Sequence, residues 1–219
     1  MTEEKKPAAD SEAAPPVDET ETAVQPDEPT PFIVGIGASA GGLAAYEAFF
    51  KAIPAAYEPN IAFVLVQHLA PDHKSLLADI IEQYTNLPVY EIKDGTAVAP
   101  GCVYIIPPDH DLAILNGTLQ LLDRVERRGI NLPIDSFLRS LAMDQGDRAI
   151  GIILSGTGGD GSSGIRDIKA RGGMVMAQLP DSAEYEGMPR SAIATNLVDY
   201  VLPPADMPAQ LAAYVRRAS

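Results

Sequence analysis

Three residues of the types that cleave acyl bonds each follow a short apolar run of the sequence: Ser39, His68 and Asp160. A serine hydroxyl is a weak nucleophile and needs a base within hydrogen-bond reach. Histidine titrates near neutrality, so it can take that proton and return it. A carboxylate fixes the tautomer of the histidine and stabilises its charged form. If the apolar runs are neighbouring parallel strands, their carboxyl ends bring the three side chains to one edge of a sheet.

The serine lies in the sequence GASAG, residues 37–41, which matches the G-x-S-x-G pattern of a nucleophile exposed between a strand and a helix. The order Ser, His, Asp differs from the Ser, Asp/Glu, His order of ordinary α/β-hydrolases, which disfavours a usual lipase or esterase. The glycines also approach a dinucleotide-binding pattern, as Gly35-x-Gly37-x-x-Ala40. That alternative lacks a Walker lysine, and it lacks the expected acidic residue because residues 61–66 are wholly apolar.

His68 and Asp160 each also have a purely structural interpretation. A polar side chain at a strand end explains His68, and Asp before Gly is common in turns and at helix N-termini. The glycines around Asp160 indicate a backbone whose N–H groups could hold an oxyanion or a phosphate. These glycines are Gly156, Gly158, Gly159 and Gly161. The three histidines, His68, His73 and His110, show no metal-ligand spacing, and the chain has only one cysteine, so no metal site is predicted.

The composition favours a protein of a reducing compartment that binds no nucleic acid and does not insert into a membrane. The chain has 219 residues with 16 basic and 30 acidic side chains, whereas nucleic-acid binding depends on clustered Lys and Arg. A single cysteine excludes an intrachain disulfide. No apolar run reaches transmembrane length, and the acidic N-terminus lacks a hydrophobic signal region. We therefore expect a cytoplasmic location.

Residues 1–30 differ in composition from the rest of the chain. They contain nine acidic residues, two lysines and five prolines, with few large apolar side chains. Such a segment buries too little surface to offset its chain entropy, so we predict a disordered tail over residues 1–30. Residues 31–219 are then one folded domain of ordinary size for an α/β protein.

Beyond the tail, apolar runs alternate with segments of helical periodicity. The predicted strands are 32–36, 61–66, 149–154, 174–178 and 198–202. The predicted helices are 43–53, 74–84, 133–144, 162–170 and 207–217, with a turn into a short helix at 187–193. Residues 88–123 break this alternation and are expected to form antiparallel strands at 89–92, 103–106, 112–115 and 119–122, with Asn116-Gly117 as a hairpin turn. The predicted fold class is α/β: a doubly wound, mostly parallel sheet with an appended antiparallel hairpin region.

Five motifs occur along the chain in the order seen in CheB-type chemotaxis methylesterases. They are GASAGG at 37–42, VQH at 66–68, YIIPP at 104–108, LSGTGGDG at 154–161 and GMP at 187–189. Residues 31–217 therefore resemble that family, in motif variants that occur in CheB–CheR fusion proteins. The resemblance implies a doubly wound α/β domain that needs no cofactor. It also implies hydrolysis of γ-glutamyl methyl esters on chemoreceptors to glutamate and methanol, often with deamidation of receptor glutamines.

The resemblance further assigns roles to individual residues. It implies that Ser39 is the nucleophile, His68 the base and Asp160 the acid that orients the base. The active-site loop around the oxyanion would comprise Ala40, Gly156, Thr157 and Gly158. Two further residues, Met188 and Pro189, would lie next to the substrate. The implied partners are methyl-accepting chemotaxis receptors and a methyltransferase domain or protein.

Two residues depart from the usual pattern of that family. Ala40 stands where the family often has Thr, and Thr157 stands where a Met commonly supplies a backbone N–H to the oxyanion. A backbone donor survives the second change, so the implied mechanism is retained. The family's receiver domain does not precede the domain in these residues, so we expect no control by an attached receiver. The alternatives are a non-catalytic module that binds a receptor or partner, and nucleotide binding at the two glycine turns.

Overall fold

The computed structural model describes residue 2 and residues 30–54, 60–67, 76–123 and 132–218. Within these residues the chain forms ten strands and six α-helices. The strands are β1 (Phe32–Ala38), β2 (Ile61–Gln67), β3 (Val89–Glu91), β4 (Thr96–Ala97), β5 (Val103–Ile105), β6 (His110–Leu115), β7 (Thr118–Asp123), β8 (Ala149–Ile153), β9 (Met174–Gln178) and β10 (Tyr200–Leu202). The helices are α1 (Gly42–Lys51), α2 (Leu76–Glu82), α3 (Pro133–Gln145), α4 (Gly164–Ala170), α5 (Gly187–Ile193) and α6 (Met207–Ala218).

Seven strands form one sheet in the order β10-β9-β8-β1-β2-β5-β3, and every pair in it is parallel. The central strands β1, β2 and β8 are buried almost throughout because helices cover both faces, which explains their unbroken apolar runs. From β1 the chain adds strands on one side as far as β3, and later adds β8, β9 and β10 on the other. Strands β1 and β8 therefore flank the switch point, where open α/β sheets bind their ligands.

Two hydrophobic clusters cover the two faces of this sheet. Helices α1, α2 and α6 pack on one face, and α3, α4 and α5 pack on the other together with β6 and β7. The predicted doubly wound arrangement is thus confirmed. It leaves the carboxyl ends of the parallel strands, including the turn after β1, along one edge of the sheet.

The predicted hairpin at Asn116-Gly117 is confirmed, because β6 and β7 pair antiparallel on either side of it. Both turn residues have positive φ, 50° and 68°, as a two-residue type I′ turn requires. Their N–H groups donate to the carboxylate of Asp144 in α3, which anchors the hairpin to that helix. With β4, these strands form a three-stranded antiparallel sheet in the order β4-β7-β6.

Two of the four segments predicted to be antiparallel strands pair in parallel instead. Residues 89–92 and 103–106 contain β3 and β5, which pair parallel with each other, and β5 pairs parallel with β2. The segment between β3 and β5 includes β4 of the small sheet and is long enough to carry the chain back to the end of the sheet where β3 begins. Strand β5 can therefore run in the same direction as β3, which the prediction did not consider. Strand direction here depends on the path of that connection rather than on the residues of the strands.

The predicted helices are confirmed in the described residues, with ends that are shifted slightly. Helix α2 is described from Leu76, so the first residues of its predicted range lie outside the described residues. The predicted tail also lies outside them except for residues 2 and 30, so its disorder stays a prediction. No helix in the described part of the chain has the length and apolar character needed to cross a membrane.

Candidate active site

Ser39 lies directly after β1, in the tight turn that leads into α1. Its N–H donates to the carbonyl oxygen of Ser155 at 2.9 Å, and its own carbonyl oxygen accepts the N–H of Gly42 at 2.9 Å. Gly41 has a φ of +71°, and a Cβ at this position would lie 2.6 Å from Ser155 Oγ. The turn therefore requires glycine both for its conformation and for space. The predicted strand–turn–helix setting of the GASAG motif is confirmed.

The two glycines that suggested a dinucleotide loop serve helix packing instead. Gly35 and Gly37 lie inside β1. A Cβ on Gly35 would lie 2.7 Å from Cδ2 of Leu138, and one on Gly37 would overlap the side chain of Ile134. Both neighbours belong to α3, so these glycines allow the helix to approach the strand closely. A dinucleotide loop needs the glycines of its pattern in the turn after the strand, whereas Gly35 and Gly37 lie within β1.

His68 lies outside the described residues, so its role as the base stays a prediction. The strand that leads to it, β2, lies within the described residues. Gln67, the last residue of β2, is the register partner of Ala38, the last residue of β1. In sequence, His68 follows Gln67 as Ser39 follows Ala38.

Asp160 is buried at the N-terminus of α3, with only 2% of its surface exposed. Its carboxylate accepts the N–H groups of Ile134 (3.1 Å), Asp135 (2.9 Å) and Gly161 (2.9 Å). The positive end of a helix dipole stabilises an anion at this position. The structural interpretation of Asp160 as a helix cap is thus correct, although the capped helix is α3 rather than the following helix α4. The same bonds fix the carboxylate in place, which a catalytic carboxylate also needs.

Asp135 is a second buried carboxylate at this junction, and the sequence analysis missed it. It lies in the first turn of α3, and its Oδ1 accepts the N–H groups of Ser163 (2.8 Å) and Gly164 (2.7 Å) at the start of α4. Burial raises the pKa of Asp135, and the charge of Asp160 adds to this rise against the lowering effect of the Gly164 N–H. An acidic residue shortly after a proline indicates the start of a helix, here α3. Nothing in that local pattern indicates that Asp135 also caps a second helix, α4.

The loop after β8 contacts the turn at residues 39–41, here called the serine turn, through Gly156. A Cβ on Gly156 would lie 3.0 Å from Cβ of Ser39 and would overlap the sulfur of Met188. The N–H of Gly156 donates to the carbonyl oxygen of Tyr185 at 2.9 Å, and its carbonyl oxygen accepts the N–H of Met188 at 2.8 Å. The backbone of Gly156 therefore holds this loop together rather than presenting its N–H to a ligand.

Met188 and Pro189, predicted to lie next to the substrate, are both buried. The sulfur of Met188 supports Gly156 from within the core. Substrate contact by these two residues stays a prediction, because their described contribution is to the packing beneath the loop.

The backbone N–H groups of Ala40 and Thr157 are candidate oxyanion donors. Within the described residues, the N–H groups of Ala40 and Thr157 donate to no acceptor. Thr157 and Gly158 are exposed, and Gly158 has a φ of +80°, in the left-handed region that favours glycine. The loop thus turns sharply at the surface, two residues beyond the contact between Gly156 and Ser39.

The fold and the site together define a doubly wound α/β protein. The serine turn and the glycine-rich loop after β8, residues 154–161, contact each other at the switch point of its parallel sheet. The chain belongs to the CheB methylesterase family, whose model matches residues 34–211. Its structure is similar to the crystal structure of the CheB methylesterase catalytic domain of Thermotoga maritima, with a TM-score of 0.76 and 32% sequence identity. That similarity covers 84% of this chain and 98% of the Thermotoga chain.

Two relatives illustrate the range of proteins that contain this domain. A protein-glutamate methylesterase/protein-glutamine glutaminase of Anaeromyxobacter dehalogenans is 34% identical over 215 residues, which are 97% of this chain and 61% of the relative. An uncharacterized 104.1 kDa protein of Rhodobacter capsulatus is 40% identical over 126 residues, which are 58% of this chain and 13% of the relative. The chain thus spans less than two thirds of the length of these relatives.

Proposed function

We propose that the domain is a serine hydrolase that demethylates glutamate methyl esters on chemoreceptors and deamidates receptor glutamines. The observation that supports this most directly is the position of Ser39 in the turn after β1, against the loop after β8, at the switch point of the sheet. The name of the Anaeromyxobacter relative supplies the substrate class. Methyl-accepting receptors are then one partner, and a methyltransferase domain or protein that forms the esters is another. Under this proposal the domain acts in the cytoplasm.

In the proposed reaction, His68 takes the proton of the Ser39 hydroxyl, and Oγ attacks the carbonyl carbon of the ester. The carbonyl electron pair moves to oxygen, and the N–H groups of Ala40 and Thr157 hold the resulting oxyanion. The intermediate then collapses, the bond to the methoxy oxygen breaks, and His68 gives its proton to the departing methanol. Water that His68 activates cleaves the acyl-serine ester, which yields glutamate and free Ser39. With a glutamine substrate, ammonia leaves in place of methanol.

Asp160 is the group that orients His68 in this proposal. Its carboxylate is buried and receives three backbone N–H groups, so its position is fixed before the substrate arrives. A fixed anion beside the imidazole favours the tautomer with its free nitrogen toward Ser39 and stabilises the imidazolium that forms.

The proposal is tested by incubating the full chain with receptor that carries labelled methyl esters, and with unmodified receptor, while methanol and ammonia are measured. We expect methanol release by the wild type and a loss of about 10⁴-fold or more in Ser39→Ala. Ser163→Ala is the matched control, because Ser163 is exposed at the start of α4 and its side chain makes no cap hydrogen bond. Its activity should equal that of the wild type.

Each other outcome points to a different function. Receptor binding without methanol or ammonia release would support the non-catalytic module. Saturable binding of ATP or NAD in calorimetry would support a nucleotide site. Methanol release by Ser39→Ala at the wild-type rate would show that another group is the nucleophile.

A further inference from the structure

Ser155, the second residue after β8, contacts the serine turn at two points. Its carbonyl oxygen accepts the N–H of Ser39 at 2.9 Å, and its hydroxyl donates to the carbonyl oxygen of Ala40 at 2.9 Å. The first bond fixes the peptide group before Ser39, and the second fixes the peptide group after Ala40. One buried residue therefore holds both ends of the two-residue segment that carries the serine.

The hydroxyl of Ser155 both donates and accepts a hydrogen bond in this arrangement. It has one proton, and the carbonyl oxygen of Ala40 is a closer acceptor than that of Tyr185, which lies 3.4 Å away. One of its lone pairs accepts the N–H of Tyr185 at 3.0 Å. The carbonyl oxygen of Tyr185 in turn accepts the N–H of Gly156 at 2.9 Å. The hydroxyl thus joins the serine turn to the segment around Tyr185.

Gln178 fixes Ser155 from the neighbouring strand. It is the last residue of β9 and is buried. Its Oε1 accepts the N–H of Ser155 at 2.8 Å, and its Nε2 donates to the carbonyl oxygen of Ser182 at 2.9 Å. The position of Ser155 is therefore set by the sheet and not by the exposed part of the loop.

We infer that Ser155 is a positioning residue for acyl transfer at Ser39, an inference that rests on the proposed function. Peptide groups are planar, so a fixed carbonyl of Ala40 limits rotation on one side of the Ser39–Ala40 peptide, and the fixed N–H of Ser39 limits it on the other. That central peptide bears the N–H of Ala40, a proposed oxyanion donor. The hydroxyl of Ser155 holds the carbonyl of Ala40, and the carbonyl oxygen of Ser155 holds the N–H of Ser39. Removal of the hydroxyl leaves the second bond in place but frees the peptide group after Ala40, so that the oxyanion donor can shift relative to the nucleophile.

The test compares Ser155→Thr with Ser155→Val in methanol release from methylated receptor. The two side chains have nearly the same shape, and only threonine has the hydroxyl. We expect kcat of Ser155→Val to be roughly 10- to 100-fold below that of Ser155→Thr with similar KM, because small displacements of reacting groups cost rate rather than binding. If Ser155→Val does not fold, Ser155→Ala supplies the variant without a hydroxyl.

Ser140→Ala is the matched control for loss of a structural hydroxyl. Ser140 also donates to a backbone carbonyl and accepts a backbone N–H, at the contact between α3 and β6. We expect its kcat to equal that of the wild type even where its melting temperature falls. An equal loss of kcat in Ser140→Ala would reduce the effect at Ser155 to general destabilisation and overturn the inference.

Equal kcat values for the Thr and Val variants would also overturn it, as would a change confined to KM. Ser39→Ala, measured alongside, separates this result from the proposed function. An inactive Ser39→Ala with equal Thr and Val variants overturns the positioning role alone. A fully active Ser39→Ala overturns the proposed function, and the positioning role fails with it.

Discussion

Asp160 and Asp135 are two buried carboxylates that cap the N-termini of neighbouring helices in a reciprocal way. Asp160, which lies before α4, accepts N–H groups at the start of α3, and Asp135, in α3, accepts N–H groups at the start of α4. The two differ in how their oxygens are used. Both oxygens of Asp160 accept backbone N–H groups, whereas both described cap bonds of Asp135 end on Oδ1.

This difference in the use of the carboxylate oxygens predicts different effects of the same substitution at Asp135 and Asp160. An amide has only one acceptor oxygen, so it can replace Asp135 and keep both cap bonds. At Asp160 the same change turns an NH₂ group toward a backbone N–H, and it also removes the charge proposed to orient His68. The comparison therefore predicts that Asp135 is a structural cap and that Asp160 is a cap with an additional catalytic role.

The largest expected effect is that of Asp160→Asn. We expect kcat for methanol release to fall by about 10⁴-fold, because an amide favours the wrong tautomer of the base. The unfolding free energy should also fall by about 1–3 kcal/mol, since one N–H at the start of α3 loses its acceptor. Steady-state kinetics and urea unfolding measure the two effects. A kcat within tenfold of the wild type would leave Asp160 with a structural role only.

Gly164→Ala tests how closely the two helix starts must approach. A Cβ at Gly164 would lie 2.6 Å from Cβ of Leu138 and 3.1 Å from the carbonyl oxygen of Asp135, so the helices must move apart. We expect the variant to lose about 1–3 kcal/mol of unfolding free energy in urea denaturation. Ser163→Ala, at the exposed preceding position, should stay within about 0.5 kcal/mol of the wild type. Equal stabilities of the two variants would contradict the close contact.

Asp135→Ala removes one cap and leaves the other in place. The N–H groups of Ser163 and Gly164 lose their acceptor, so we expect a loss of about 1–2 kcal/mol, the usual cost of a missing N-cap. Because Asp160 keeps its own bonds, kcat per folded molecule should change by less than about tenfold. Differential scanning calorimetry and methanol release check the two parts. A collapse of kcat comparable to that of Asp160→Asn would erase the distinction between the carboxylates.

Asp135→Asn should have the smallest effect, and the size of this effect should vary with pH. Burial raises the pKa of Asp135 above the ordinary aspartate value of about 3.9, with the charge of Asp160 adding to the rise. Asp135 therefore favours the folded state most at low pH, and this contribution is lost as the pH rises through the raised value. Between the ordinary and the raised value, the unfolding free energy of the wild type relative to that of Asp135→Asn should fall as the pH rises. Above the raised value the difference should be constant. Urea unfolding at a series of pH values measures the difference, and a rise with pH would contradict the assigned cause.

Local sequence was enough to predict the features that depend on neighbouring residues. The GASAG turn follows from small residues between an apolar run and a helical pattern, and the Asn116-Gly117 turn follows from two residues that accept positive φ. The directions of β3 and β5 could not be obtained in this way, because they depend on the path of the chain between them. The glycines of β1 were ambiguous for the same reason, since their neighbours belong to α3.

The supporting residues of the site could not be predicted because their partners are distant in sequence. Asp135 and Gly164 are 29 positions apart, and Ser155 and Ala40 are 115 positions apart. A buried serine, glutamine or aspartate has no local pattern that names its hydrogen-bond partner. Only the parallel pairing of β1 with β8 brings Ser155 to the serine turn.

The most direct test of the nucleophile is to trap the acyl-enzyme. The full chain is mixed with a methylated receptor peptide, quenched in acid within milliseconds and analysed by mass spectrometry. We predict an adduct with the mass of the peptide less methanol, attached to Ser39. An adduct on another nucleophile, such as the single thiol of Cys102, would contradict the assignment of Ser39.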